Sequence, residues 1–229
     1  YRRLADLAPP RRGPASGGMT MSPEMAERLA LRRFDRAVAL QAHPAQLGRA
    51  FPNLPEATAL RLLDTPRLQP RLSELLRRRL GLAPCDAASW QGDAARIAGL
   101  SPADLDRAVR HAGAAALAAR LRTIVLGADI RRVTGRIGAD AYAFGLSHKG
   151  PGPAPALAGL EAMPAEEAID RAGLLCLAAW CGEAGPAIGE RLRLRLAPER
   201  WPGGGLPPAE RPRAAALFAA ASRAVAPHG

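Results

Sequence analysis

Histidine and cysteine carry the most specific chemistry in this chain, and their spacing argues against a reactive centre. His43, His111, His148 and His228 are scattered, with no H-E-x-x-H run and no matching Cys/His pair, so no metal site is expected. Cys85, Cys176 and Cys181 are odd in number and irregularly placed. That argues against a disulfide framework and for small, buried thiols in a reducing compartment. Asp104 and Asp106 lie too close in sequence to share a helix face, and capping or solvent roles explain them. Glu166 and Glu167 belong to a first helical turn, where the macrodipole favours them, and Asp170 is one turn further on. Gly203, Gly204 and Gly205 form a loop with no helix start behind it to hold a phosphate. No P-loop, no G-x-G-x-x-G after a strand and no G-x-S-x-G occurs. The expectation is a protein without catalytic residues, cofactor or metal, whose function resides in its surfaces.

The charge says what those surfaces could meet. The formal net charge is +11, which fits a nucleic acid or an acidic protein surface. Lys149 is the only lysine, so every other basic side chain is arginine. The arginines are spread diffusely and no aromatics interleave with them, which favours ordinary solvated faces over a nucleic-acid track. A basic helical nucleic-acid-binding protein stays as the alternative. Arg77, Arg78 and Arg79 sit at a predicted helix end, where the dipole accounts for them. Residues 191–196 alternate Arg and Leu. The alternation fits a strand or extended edge with Leu192, Leu194 and Leu196 inward, but no partner strand is evident. The preferred reading is therefore a helix end passing into an extended tail with the arginines solvated.

The elements behind these residues are helical. Ala, Leu and Arg dominate, β-branched residues are sparse and aromatics make up only 4% of a chain that is 48% hydrophobic, so the expected fold is all-α. No apolar run approaches the roughly 20 residues of a membrane span, and residues 1–18 lack an apolar signal segment, so a cytoplasmic protein is expected. Residues 1–20 are Pro/Gly/Arg-rich and are expected to be disordered; Met19 and Met21 are alternative starts, which would make them an over-extended gene model. The division expected is a helical core domain over 21–148, a Gly/Pro/Ala connector over 149–163, and a smaller C-terminal helical subdomain over 164–229 packed on the core.

Within the core, helices are predicted over 23–41, 56–63, 70–80 and 94–98, with an ordered loop over 41–55. The central stretch, 101–148, opens on a cap signal, Ser101-Pro102 with Asp104. Three helices follow. The first runs through Leu121, Ile124 and Val125 to Gly127, the second ends at Gly138, and the two glycines are read as the joints that set the helix angles. C-terminal helices are predicted over 164–182, 186–194 and 211–225, the last loosely attached.

Three patches resemble the SctK family, the YscK/PscK-like accessory proteins of the type III secretion sorting platform. They are QAHPAQLGRAFPNLP; LRTIVLGADIRRVTGRIGADAYAFGL, in which Gly145 replaces a usual alanine; and RAGLLCLAAWCGEAGPAIGERLRLRLAPE, in which Ala197-Pro198 stands where Leu-Pro is common. The resemblance covers about residues 23–198. It implies a non-enzymatic cytoplasmic scaffold at the inner membrane. Such a scaffold links the pods, through the SctQ component, to the cytoplasmic domain of the ring protein SctD, and helps to recruit the export ATPase with its regulator SctL. Arg131, Arg132 and Arg136 are the candidate partner-binding residues.

Overall fold

A computed structural model describes residues 23–85, 90, 92–149 and 155–225. Residues 1–20 and the middle of the 149–163 connector lie outside the described residues. The described residues form twelve α-helices and no strand. These are α1 (Pro23–Arg36), α2 (Pro44–Ala50), α3 (Glu56–Leu63), α4 (Gln69–Arg79), α5 (Asp93–Gly99), α6 (Pro102–Ala116), α7 (Ala118–Thr123), α8 (Gly127–Ile137), α9 (Ala139–Ser147), α10 (Ala165–Ala184), α11 (Pro186–Arg193) and α12 (Arg211–Ala224). The all-α expectation holds, and no described helix is long and apolar enough to cross a membrane.

Two sequence readings are corrected locally. The 41–55 loop contains α2: Pro44 occupies its first turn, and His43 caps it by accepting from the Ala45 N–H at 3.3 Å. The helix read from Ser101 to Gly127 is two. The cap itself is as predicted, with Ser101 Oγ accepting from the Asp104 N–H at 3.1 Å. However, α6 ends at Ala116, α7 ends at Thr123, and Gly127 starts α8 instead of stopping α7.

Packing centres on α6, α10 and α12, which cross one another. Their interfaces are built from Ala108, Ala112, Ala168, Ala172, Ala215 and Ala221, all buried, which is how a chain so poor in aromatics closes a core. Small residues let the backbones approach. At the α6/α10 crossing, a Cβ on Gly113 would lie 1.9 Å from the Ile169 carbonyl oxygen, and one on Gly173 would lie 2.0 Å from that of Val109. The joint is therefore this pair. A Cβ on Gly127 meets only the Arg131 guanidinium at 3.5 Å, an ordinary contact, so no close backbone approach requires glycine there, contrary to the sequence reading. Gly138 does act as a joint, because its φ of +98° between α8 and α9 disfavours any side chain. Helix α12 is firmly held: Phe218 is fully buried, its ring centroid 6.2 Å from that of Trp180. Each such buried large side chain contributes about 2 kcal/mol.

Buried residues fall into two clusters. The larger draws on both sides of the connector, from Phe34 through α6 and α10 to Val225. The smaller is formed by residues of 38–82, among them Leu47, Leu72 and Leu76, together with Leu194. The Arg/Leu alternation of 191–196 joins the two. Leu192 and Leu196 enter the larger cluster and Leu194 the smaller. Buried Gln46 donates to the carbonyls of Arg193 (3.1 Å) and Leu196 (2.7 Å), and the His43 N–H donates to that of Leu194 at 2.8 Å.

Two of the three arginines of this strut, Arg191 and Arg195, are buried and not solvated as the alternation predicts, while Arg193 stays partly exposed. Arg191 is 3% exposed and donates to the Ala83 carbonyl and the Asp35 carboxylate, both at 2.7 Å. Arg195 is 5% exposed and donates to the carbonyls of Ala98 and Leu100, each at 2.7 Å, with its guanidinium 5.0 Å from the Phe34 ring centroid. Burial without a carboxylate pushes the Arg195 pKa down to about 9, which leaves it cationic at neutral pH. It thus serves as a side-chain cap for the carbonyl end of α5.

A candidate docking surface on helix α8 and the loop before it

The three candidate arginines lie on α8, held against the core by Val133 and Ile137. They do not act alike. Arg132 and Arg136 are four apart on one face. Arg132 bonds Asp129 at 3.2 Å and reaches across to Glu166 of α10 at 3.3 Å. Arg136 lines a charged groove of about 480 Å³ between α6, α8 and α10. Arg131 is exposed on a neighbouring face, and its guanidinium has no hydrogen-bond or ion-pair partner among the described residues. The structure therefore separates the three: Arg136 lines the charged groove, Arg132 lines the depression beside Val125 and Leu126, and Arg131 lines neither.

The groove carries both signs of charge. Asp106 and Arg110 come from α6, Glu166, Asp170 and Arg171 from α10, and Arg200 from the turn after the strut. Arg200 clamps the two main helices, donating to Asp106 at 2.7 Å and Asp170 at 2.9 Å. Burial alone would lower its pKa; the two carboxylates outweigh this and raise it. Asp106 and Asp170 thus tie Arg200 to both helices while their side chains stay partly exposed.

Beside the groove is a feature that the sequence reading placed in the core. Ile124 is half-buried against the main cluster, but Val125 is 79% exposed and Leu126 66% exposed. They border a depression of about 350 Å³ with Arg120 and Arg132. The base of this loop is fixed. Arg120 donates to the carbonyls of Leu160 and Met163, and Arg122 to those of Leu146 and His148. Two bulky apolar side chains are thus presented on a fixed base framed by arginines. The sequence does carry a signal for this, because three consecutive apolar residues before a glycine cannot all face one side of a helix.

The remaining reactive residues are absorbed by the fold. His111 is buried, with Nδ1 2.8 Å from the Arg107 carbonyl and Nε2 3.8 Å from Asp140. Burial would raise the Asp140 carboxyl; the Arg107 hydrogen bond, the Ala141 N–H and the nearby charges of His111 and Arg107 outweigh it and hold it below the usual range. Cys176 and Cys181 are fully buried, and burial pushes the Cys176 thiol up to about 12 and Cys181 higher still. Cys85 is half-buried and its thiol is also raised by burial. Among the described residues no three His, Cys, Asp or Glu side chains approach closely enough to hold a metal ion.

An all-α protein with an exposed apolar pair beside arginines carries a surface of the kind that protein partners cover. Comparison with known proteins narrows this. A family model described as YOP proteins translocation protein K (YscK) matches residues 25–228. The nodulation protein NolU of Rhizobium fredii is 36% identical over 161 residues, 69% of this chain and 72% of the relative, and NolU of Sinorhizobium fredii (strain NBRC 101917 / NGR234) matches to the same extent. No solved structure matches. The chain belongs to the YscK family and takes part in type III secretion.

Proposed function

We propose that this protein is a non-enzymatic adaptor of the type III secretion sorting platform. It works at the cytoplasmic face of the inner membrane and links SctQ-like pods to the cytoplasmic domain of the SctD-like ring protein. An SctL-like ATPase regulator is recruited through the same assembly. The observation that carries this reading is the Val125–Leu126 pair, exposed on an anchored loop between arginines in a member of this family. Apolar anchors held rigidly before contact lose little entropy on binding, and the exposed guanidinium of Arg131 beside them attracts an acidic partner.

The fate of the arginines supports a protein partner over nucleic acid. Arg191, Arg195, Arg120 and Arg200 are committed to backbone carbonyls or carboxylates inside the molecule, so the net charge overstates what is offered to a phosphate backbone.

The reading predicts that deleting the gene stops secretion of all substrates. The double variant Val125→Asp/Leu126→Asp should fold with unchanged melting temperature, because both side chains are already in water. It should fail to restore secretion and should lose about 30-fold in affinity for one platform partner, the size of a typical interface hot spot. Normal secretion in the deletion strain, or full rescue by the double variant, contradicts the proposal.

A further inference from the structure

The smaller cluster carries a surface of its own. Helices α2, α3 and α4 enclose an open groove of about 580 Å³, with Phe51, Leu54, Leu62, Leu68, Leu72 and Leu75 among its lining residues. Among the described residues, the only charged ones lining it are Arg71 and Arg79, and no carboxylate does so. Arg71 shares Glu74 with Arg78, and Arg79 has no partner among the described residues. Arg67, beside Leu68, and Arg78 are exposed on the same elements. Leu68 is 36% exposed and Leu60 on α3 is also exposed, so the apolar surface extends to the rim.

We infer that this groove is a second docking site, and that its occupant is an amphipathic helix of another protein, apolar on one face and acidic along its flanks. Three lines lead there. Depth and apolar lining between helices suit a helix laid in a groove, and among the described residues there is no strand edge to which an extended peptide could add. The described lining carries Arg71 and Arg79 and no carboxylate; Glu74, on the same helix, pairs with Arg71 and Arg78 and leaves Arg79 to attract a carboxylate. A second copy of this chain is a poor occupant. Its two paired exposed apolar patches lie among arginines, Met25 and Leu29 on α1 with Arg32, Arg33 and Arg36, and Val125 and Leu126 near Arg122, Arg131 and Arg132, with Asp129 alone of opposite sign at the second. Like charges would meet at the rim. The site is built on a different hydrophobic cluster from the α8 surface, so the molecule has the means to hold two partners. The inference does not depend on the partner names proposed above.

The test is fluorescence anisotropy on the full chain with a labelled synthetic helix of about 18 residues, five turns. Its Leu residues are spaced to form one face and Glu flanks them; a twin carries Lys in place of Glu. The expected result is saturable binding of the Glu peptide, at least about tenfold tighter than the Lys twin. Leu68→Glu and Arg79→Glu, both at exposed positions, should each weaken it about tenfold, and Val125→Asp/Leu126→Asp should leave it unchanged. No saturable binding, equal affinity for the two peptides, or indifference to both groove variants overturns the inference. Dimers in sedimentation equilibrium that Leu68→Glu dissolves would assign the groove to a second copy and overturn it too. Failure here leaves the secretion phenotype of the Val125/Leu126 variant as a separate result.

Discussion

Replacing Gly173 with valine should cost about 3 kcal/mol or more and lower the melting temperature by about 10 °C, read by thermal and urea denaturation of the purified protein. The reason is distance. A Cβ at position 173 would lie 2.0 Å from the Val109 carbonyl oxygen and 2.9 Å from the Val109 Cγ1, and the mirror contact at Gly113 is 1.9 Å from the Ile169 carbonyl. Backbone atoms cannot rotate away as a side-chain tip can. Helices α6 and α10 would have to separate along the crossing around which α12 also packs. Even alanine at either site should be strongly destabilising. The internal control is Gly135→Ala in α8, where a Cβ meets nothing within 4 Å. That change should be neutral or stabilise by up to about 1 kcal/mol, because alanine is the better helix former. Equal effects at 173 and 135 would mean that the close crossing is wrong.

Arg195→Ala is the second large effect expected, a loss of about 3 kcal/mol in urea denaturation. The substitution leaves the carbonyls of Ala98 and Leu100 without their donors and opens a hole beside Phe34. Removal of a buried cation recovers some free energy, but two orphaned carbonyls and the cavity outweigh it. Arg195→Lys should recover little. A single ammonium cannot reproduce the planar fork that serves two carbonyls at once. Arg131→Ala, at an exposed site without a partner, should stay within about 0.5 kcal/mol of the parent. A solvated Arg195 would behave like Arg131, so the pair of variants separates the two pictures.

These two effects also mark where sequence reasoning stops. Helix content was legible, because Ala, Leu and Arg favour helix and because starts such as Ser101-Pro102 combine a side-chain cap with a fixed φ. Chain spacing cannot reveal a crossing between residues far apart. Gly113 and Gly173 look like weak points of alanine-rich helices until α6 and α10 are laid together. Gly127 and Gly138 drew notice because they punctuate the pattern, yet only Gly138 has the positive φ that needs glycine. Arginine is normally solvated, so nothing local announces that Arg191 and Arg195 are buried donors. The site was half legible. Arg136 lines the charged groove and Arg132 the neighbouring depression, whereas Val125 was read into the apolar face of a helix because apolar residues usually face the core. The family resemblance, resting on short patches that include this same loop, pointed to the right system where the chemistry of single residues was silent.

The proposed adaptor role makes a direct demand on assembly. Purified protein, the cytoplasmic domain of the SctD-like ring protein and the SctQ-like pod protein should be mixed and examined by sedimentation velocity. The account predicts a ternary complex in which the ring domain and the pod protein are held at once, and which the Val125→Asp/Leu126→Asp variant reduces to a binary one. Failure to bind either protein, or mutual exclusion of the two, would contradict it.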